Sequence, residues 1–204
     1  MLITPEEVSK IIGAPMSNVN KYYPMLIDYL VTKYPKKNKV SFQVALLATI
    51  GVESGKFQPV REGYWLSDSW AKPYYNAQYS NRKDLGNRGG NDGWIYRGGG
   101  IFQITGLHNY QVYGKLIGVD LANHPEKILE PYASTATAIE YAVQHGLDIW
   151  AQRAYNTADD NLYPEEMCWR RIRKLVNGGY KHYDKFRGYV ELFKKAGAKE
   201  GTNV

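Results

Sequence analysis

Two carboxylates offer this chain's best-spaced opportunity for acid–base chemistry. Glu53 closes the most apolar segment, which runs from Val44 to Val52. A helix C-terminus disfavours negative charge and apolar surroundings disfavour ionisation, so both effects push this carboxyl toward the protonated form that a general acid needs near neutral pH. The bland alternative is a glutamate that points to solvent from a helix end. Glu62 follows nine positions later, within Phe57-Gln58-Pro59-Val60-Arg61-Glu62. Two carboxylates facing each other across a cleft are what glycoside hydrolysis uses, one protonating the leaving oxygen and the other activating water or attacking the sugar. Asp68 and Asp84 compete with Glu62 for the second role, and an acidic loop residue is most often simply solvated.

A third feature is the run Tyr96-Arg97-Gly98-Gly99-Gly100-Ile101-Phe102-Gln103-Ile104-Thr105-Gly106. Consecutive glycines allow a ligand or another segment close to the backbone, and Gln103 and Thr105 alternate with Ile104, so both can project from one side. The run lacks the GxxxxGK pattern, a GxGxxG opening a helix after a buried strand, and a following lysine for a phosphate. Neutral amide and hydroxyl groups beside aromatics suit a sugar or a peptide. Cys168, the one cysteine, lies on an apolar stripe and reads as a buried small hydrophobe. With four scattered histidines, His108, His124, His145 and His182, it forms no ligand pattern, so neither metal nor cofactor is expected.

Helices must position these groups. Thr4, with Pro5 at the first helical position and Glu6 and Glu7 in the first turn, starts a short helix with Val8, Ile11 and Ile12 on one face before Gly13 ends it. Val19, Tyr22, Leu26 and Leu30 have helical spacing, which requires Pro24 near the first turn. After the basic loop Lys33 to Lys39, Ser41 can cap the central buried helix, which runs to about Ser54. From about Lys56 to Gly100 helical periodicity gives way to a long aromatic, glycine-rich loop region, part of which can pair as a short hairpin. Helical signals resume at Tyr110, Tyr113, Leu116 and Ile117; then Pro131 opens a segment through Ala138, Tyr141 and Ala142. Two further stripes are Cys168, Ile172, Leu175 and Val176, and Tyr183, Phe186, Val190 and Phe193. The fold class is mainly α.

The length of 204 residues, with 44% hydrophobic and 23% charged side chains, suits one globular domain, residues 1–204, with a core of its own. No apolar stretch approaches a membrane span. The start, Met1 to Glu7, has neither a basic segment nor an apolar run, so a Sec-type signal is not expected and the product is expected in the cytoplasm. The net charge of +6 favours an anionic partner without choosing one. Arg170, Arg171, Arg173 and Lys174 surround an apolar stripe and read as its solvated face, which leaves nucleic-acid binding resting on charge alone. Trp150 and Trp169 read as core; for Trp65, Trp70 and Trp94 sugar stacking and packing are both open.

Taken in order, Val52-Glu53-Ser54-Gly55, Glu62, the Tyr96 to Gly106 run, Asn109-Tyr110, Tyr113-Gly114, Leu116 to Leu121 with Asn123, Pro125 and Glu126, and Val176-Asn177-Gly178-Gly179 resemble the family 19 chitinase-like glycoside hydrolases, and more closely the phage endolysins of that group. The resemblance extends to about Gly188. It implies a lysozyme-like, two-lobed, mainly helical fold whose cleft binds a polymer of N-acetylhexosamines. It implies Glu53 as general acid and Glu62 as the base that positions or deprotonates water, with inversion at the anomeric carbon. Tyr96, Gln103, Thr105, Asn109 and Asn177 match residues that bind the sugars. Val52 stands where the family usually has His, and Gly99 where it usually has a second Arg. Should that Arg pair with a carboxylate, Arg97 or Arg88 is the expected replacement.

The function implied is that of an endolysin, a monomer acting on bacterial peptidoglycan by cutting the β-1,4 bond between N-acetylmuramic acid and N-acetylglucosamine. No separate wall-binding domain, nucleic-acid partner or membrane insertion is expected. Chitin hydrolysis uses the same chemistry, and a lytic transglycosylase needs only the acid. A non-catalytic wall-binding or virion module is the alternative outside enzymes.

Overall fold

Local signals along the chain translate into helices. The computed structural model describes residues 2–54, 56–156 and 163–200. The chain divides into two compact units, one made of residues up to Phe57 and from Tyr141 onward, the other of Gln58–Glu140.

In the first unit, helix α1 (Pro5–Ile12) opens with a capping box. The Glu7 amide donates to Thr4 Oγ1 and the Thr4 amide to Glu7 Oε2, each at 3.2 Å, and Gly13 closes the helix in the left-handed conformation. Helix α2 (Met16–Lys33) buries Val19, Tyr22, Leu26 and Leu30 as their spacing predicts. Pro24 lies well inside this helix, not near its first turn: the packed apolar face holds the helix through the missing hydrogen bond. Helix α3 (Val40–Glu53) is buried on every side from Ser41 to Gly51. Lys39 occupies its N-cap position without a side-chain cap, so the expected cap by Ser41 is not made; Ser41 is already helical and buried.

The second unit overturns the reading of residues 56–100 as loop. Helix α4 (Asp68–Tyr79) lies inside that stretch and packs against the short α5 (Asp92–Ile95). Its inward residues Ala71, Tyr75 and Tyr79 recur every four positions, a pattern masked in the sequence by Pro73 and by exposed aromatics between them. Strands β1 (Val60–Arg61) and β2 (Gly99–Gly100) pair antiparallel, Val60 opposite Gly100 and Arg61 opposite Gly99. This is a pairing between distant segments; the local turn is a single bridge from Gly99 to Ile104. Helix α6 (Leu107–Ile117) buries Tyr110, Tyr113 and Ile117, while Leu116 is exposed.

Helix α7 (Pro131–Gln144) belongs to the second unit as far as Glu140 and to the first from Tyr141. Ser134 on it accepts a 2.9 Å hydrogen bond from the Ile101 amide, which anchors the glycine-rich segment. Helices α8 (Leu147–Tyr155), α9 (Glu165–Asn177) and α10 (Tyr183–Glu200) complete the first unit, and α3 packs against α8 and α10. The α3–α10 contact is close at Gly51, where a Cβ would stand 2.8 Å from Ile12 and from the Tyr189 ring. Cys168, Tyr183, Phe186, Val190 and Phe193 are buried as predicted; Leu175 and Val176 are half-buried, and Trp169 and Arg173 take the inward positions of α9. No described helix is long and apolar enough to cross a membrane. The fold is mainly helical, as expected.

Candidate active site

Each proposed carboxylate is built into its own unit. Glu53 is the last residue of α3, and its Oε1 accepts a 2.5 Å hydrogen bond from Arg173 Nη1 of α9. The Arg173 side chain is 1% exposed and that of Glu53 18%, so Glu53 is not the solvent-pointing glutamate of the bland reading. Nor are its neighbours only apolar, as the sequence suggested, because a buried guanidinium stands against it. Arg173 Nε donates to the Lys181 carbonyl at 2.8 Å, so the guanidinium is held at two points.

Reading Arg173 as part of a solvated basic face is therefore corrected. Cys168, Trp169, Ile172 and Arg173 share the inward face of α9, and Arg173 follows Trp169 by one helical turn. That position on the apolar stripe was the available signal. Tyr141 supports the same helix: its hydroxyl donates to the Leu175 carbonyl at 3.1 Å, and His145 stacks on its ring. Burial pushes the Tyr141 phenol up to about 12, with the Glu53 charge adding to the effect. Asn177, the last residue of α9, is exposed. Gly55 of the motif after Glu53 lies outside the described residues.

In the second unit Glu62 directly follows β1. Its amide donates to the Gly98 carbonyl at 2.7 Å, its Oε1 accepts from the Tyr79 hydroxyl at 3.1 Å, and its Oε2 accepts from the Gly98 amide at 3.2 Å. Arg97 Nε donates to the Glu62 carbonyl at 2.9 Å while the guanidinium lies over Trp94. Burial first, and the Glu62 charge second, hold the Tyr79 phenol well above its ordinary pKa, so it stays a donor to the carboxylate. Tyr79→Phe is expected to lower unfolding free energy by about 1 kcal/mol, the net worth of one such bond. Urea denaturation reads this, and an unchanged midpoint would show that the bond carries no stability.

The glycines make room for the protein's own side chains. A Cβ at Gly98 would stand 2.8 Å from Gln103 Oε1, and one at Gly99 would stand 2.6 Å from the Tyr110 hydroxyl and 2.7 Å from Ile128. Gly99 thus has no space for the family's usual arginine. The cation beside it is Arg61, not Arg97 or Arg88: Arg61 bonds the Tyr110 hydroxyl and donates to the Ile95 carbonyl at 2.6 Å. Arg88 pairs with Asp92. Overpacking predicts that Gly99→Ala costs about 1–3 kcal/mol in unfolding free energy; a melting temperature equal to the parent's would refute the tight contact.

Gln103, Thr105 and Asn109 lie together in a sequence of side-chain-to-backbone bonds. Gln103, held at a left-handed φ of 54°, donates from Nε2 to the Val60 and Gly100 carbonyls, both at 2.9 Å, and so ties β1 to β2. Thr105 Oγ1 donates to the Gln103 carbonyl at 3.0 Å, and Asn109 Nδ2 to the Thr105 carbonyl at 2.7 Å. The backbone at Gln103 turns, so the strand-like alternation expected of Gln103 and Thr105 does not occur. Each of the three is half-buried and keeps a free acceptor lone pair. Tyr96 differs: it is buried, and its hydroxyl donates to the Ala122 carbonyl at 2.9 Å.

Among the competing acids, Asp84 pairs with Arg82 at the surface and Asp68 opens α4. Trp65 and Trp70 are 69% and 53% exposed, and Trp70 stacks on Tyr74 at 4.9 Å. Trp94 is half-buried under Arg97. Trp169 is core, while Trp150 is half-buried against Tyr163 and Arg153.

No family model matches the chain. A Haemophilus influenzae protein described as a glycosyl hydrolase family 19 domain-containing protein is 31% identical over 159 residues, covering 67% of this chain and 72% of that protein. Among solved structures, a bacterial family 19 chitinase superposes with a TM-score of 0.59 at 18% identity, covering 95% of each chain. A chitinase C mutant superposes with a TM-score of 0.57 at 15% identity, covering 95% of this chain and 93% of the other.

Proposed function

This chain belongs to glycosyl hydrolase family 19, and from that premise we propose that it is an endolysin that cuts the β-1,4 bonds of bacterial peptidoglycan strands between N-acetylmuramic acid and N-acetylglucosamine. The observation that carries the proposed chemistry is the fixing of Glu53: Arg173 holds Oε1, which leaves Oε2 as the oxygen that takes up a proton from solvent and delivers it to the leaving sugar. The carboxylate formed by that transfer remains paired with Arg173. Glu62 is the base, its oxygens oriented by Tyr79 and Gly98 so that a remaining lone pair takes the proton of the attacking water. Gln103, Thr105, Asn109 and Asn177 supply polar contacts to the sugars, and Tyr96 supports the segment from beneath its own buried hydroxyl bond.

The resemblance of the motif series to phage endolysins and the excess of positive charge, +6, support an anionic wall polymer as the substrate. Chitin is the second reading, favoured by the chitinases among the superposed structures. Purified peptidoglycan and chitin oligomers, digested separately, distinguish the two when the new ends are identified by mass spectrometry. Reducing N-acetylmuramic acid ends are expected. Cleavage of chitin alone would transfer the assignment to a chitinase. Anhydro-sugar ends, together with full activity in Glu62→Gln, would make the enzyme a lytic transglycosylase. No cleavage of either polymer would leave the wall-binding module as the surviving reading.

A further inference from the structure

A cavity of about 300 Å³ opens at the N-terminal end of α3, wholly within the first unit. Lys36, Lys37 and Lys39 line it from the turn between α2 and α3, and Arg153 lines it from α8. Its apolar walls are Phe42, which is buried, and Ile149, which is exposed at the rim. Asp148 is the acidic residue of the lining, and its Oδ2 is already paired with Lys37 while Oδ1 is shut away from solvent.

Charge in the cavity therefore does not balance. Among the described residues Lys36, Lys39 and Arg153 form no ion pair; Arg153 rests only on the rings of Trp150 and Tyr163. The backbone adds to the imbalance. Lys39 is the N-cap of α3, and no side chain caps that helix, so lysines meet the positive end of the helix dipole where acidic groups are the favourable choice. An anion placed here relieves the lysine repulsion and meets the positive end of the helix dipole.

We propose that this cavity binds the carboxylate of a short acidic peptide, of the kind carried by the wall glycan; the assignment of its source rests on the peptidoglycan reading above. The exposed Ile149 at the rim favours a peptide over a polyol phosphate, because a small apolar side chain can cover it. The site stands apart from the proposed acid: Ser41 and Glu53 are separated by about 18 Å along α3 at 1.5 Å per residue. A peptide held at one end of the helix thus leaves Glu53 open to sugar.

The test titrates the full chain with N-acetyl-alanyl-glutamate and, separately, with inorganic phosphate, following amide NMR shifts. Saturable shifts at Val40 to Phe42 and Asp148 to Arg153 are expected with the dipeptide. K36E/K39E should weaken that binding about tenfold, as expected for two reversed charges, with unchanged cleavage of neutral glycan oligomers. If circular dichroism shows that variant unfolded, K36Q/K39Q carries the comparison. Absent shifts, dipeptide binding by the variant equal to the parent's, or phosphate binding tighter than the dipeptide would each overturn the proposal. Dipeptide binding at these residues in a protein that fails to cleave peptidoglycan would uphold the site and sink the substrate reading instead.

Discussion

Glu53→Gln is expected to slow glycan cleavage about 10²- to 10⁴-fold, the usual worth of a positioned general acid. Glutamine keeps the shape and can still accept the Arg173 hydrogen bond, but it has no proton to give. The substitution also leaves the Arg173 guanidinium, 1% exposed, without a counter-charge. A loss of about 1–3 kcal/mol in unfolding free energy should accompany the loss of rate. The two effects separate by measuring initial rates well below the melting temperature of the variant. A Glu53→Gln protein that cleaves as fast as the parent would remove Glu53 from the chemistry.

Arg173→Leu should have the larger effect on stability. Removing one partner of a buried ion pair typically costs about 3–5 kcal/mol because the other charge stays behind. The residual exposure of Glu53, 18% of its side chain, reduces this to about 2–4 kcal/mol. The Lys181 carbonyl loses its donor as well. Arg173→Lys restores a charge without the rigid fork, so it holds Glu53 and the Lys181 carbonyl less well, and its stability should fall between those of the parent and Arg173→Leu. Combining Glu53→Gln with Arg173→Leu should recover part of the loss, since neither charge then remains unpaired. Denaturant midpoints of the four proteins test this cycle, and strict additivity would show that the pair is not coupled.

How far the sequence could be read depended on how local the determining physics is. Helix α1 was legible because Thr4, Pro5, Glu6, Glu7 and Gly13 carry its start and stop within a few positions. The place of Glu53 at the end of α3 is legible for the same reason: an apolar run broken only by Thr49 and Gly51 leads directly to it. Helix α4 was not legible, because Pro73 and the aromatics around it break the usual apolar pattern, while the inward Tyr75 and Tyr79 find their partners in Trp94 and Glu62. The partner of Glu53 is hidden in the sequence on similar grounds. An arginine among Arg170, Arg171 and Lys174 looks solvated until the fold brings a residue from the far end of another helix against it. Gly98 and Gly99 stand out in the sequence, but the groups that need their space, Gln103, Tyr110 and Ile128, become apparent only in three dimensions.

The division of the first unit between the two ends of the sequence governs the order in which the protein can be assembled. The α3 helix emerges from the ribosome before α10, one of the helices it packs against, and it is buried on every side in the finished fold. Translating the residues between Glu53 and Tyr183 at about 5–20 residues per second takes on the order of ten seconds. For that interval Phe42 to Ile50 lack their final cover. The second unit, continuous from Gln58 to Glu140, has no such wait. Activity should therefore appear only after synthesis has passed α10, since Gly51 of α3 meets Tyr189 there and Glu53 takes its fixed place through α9.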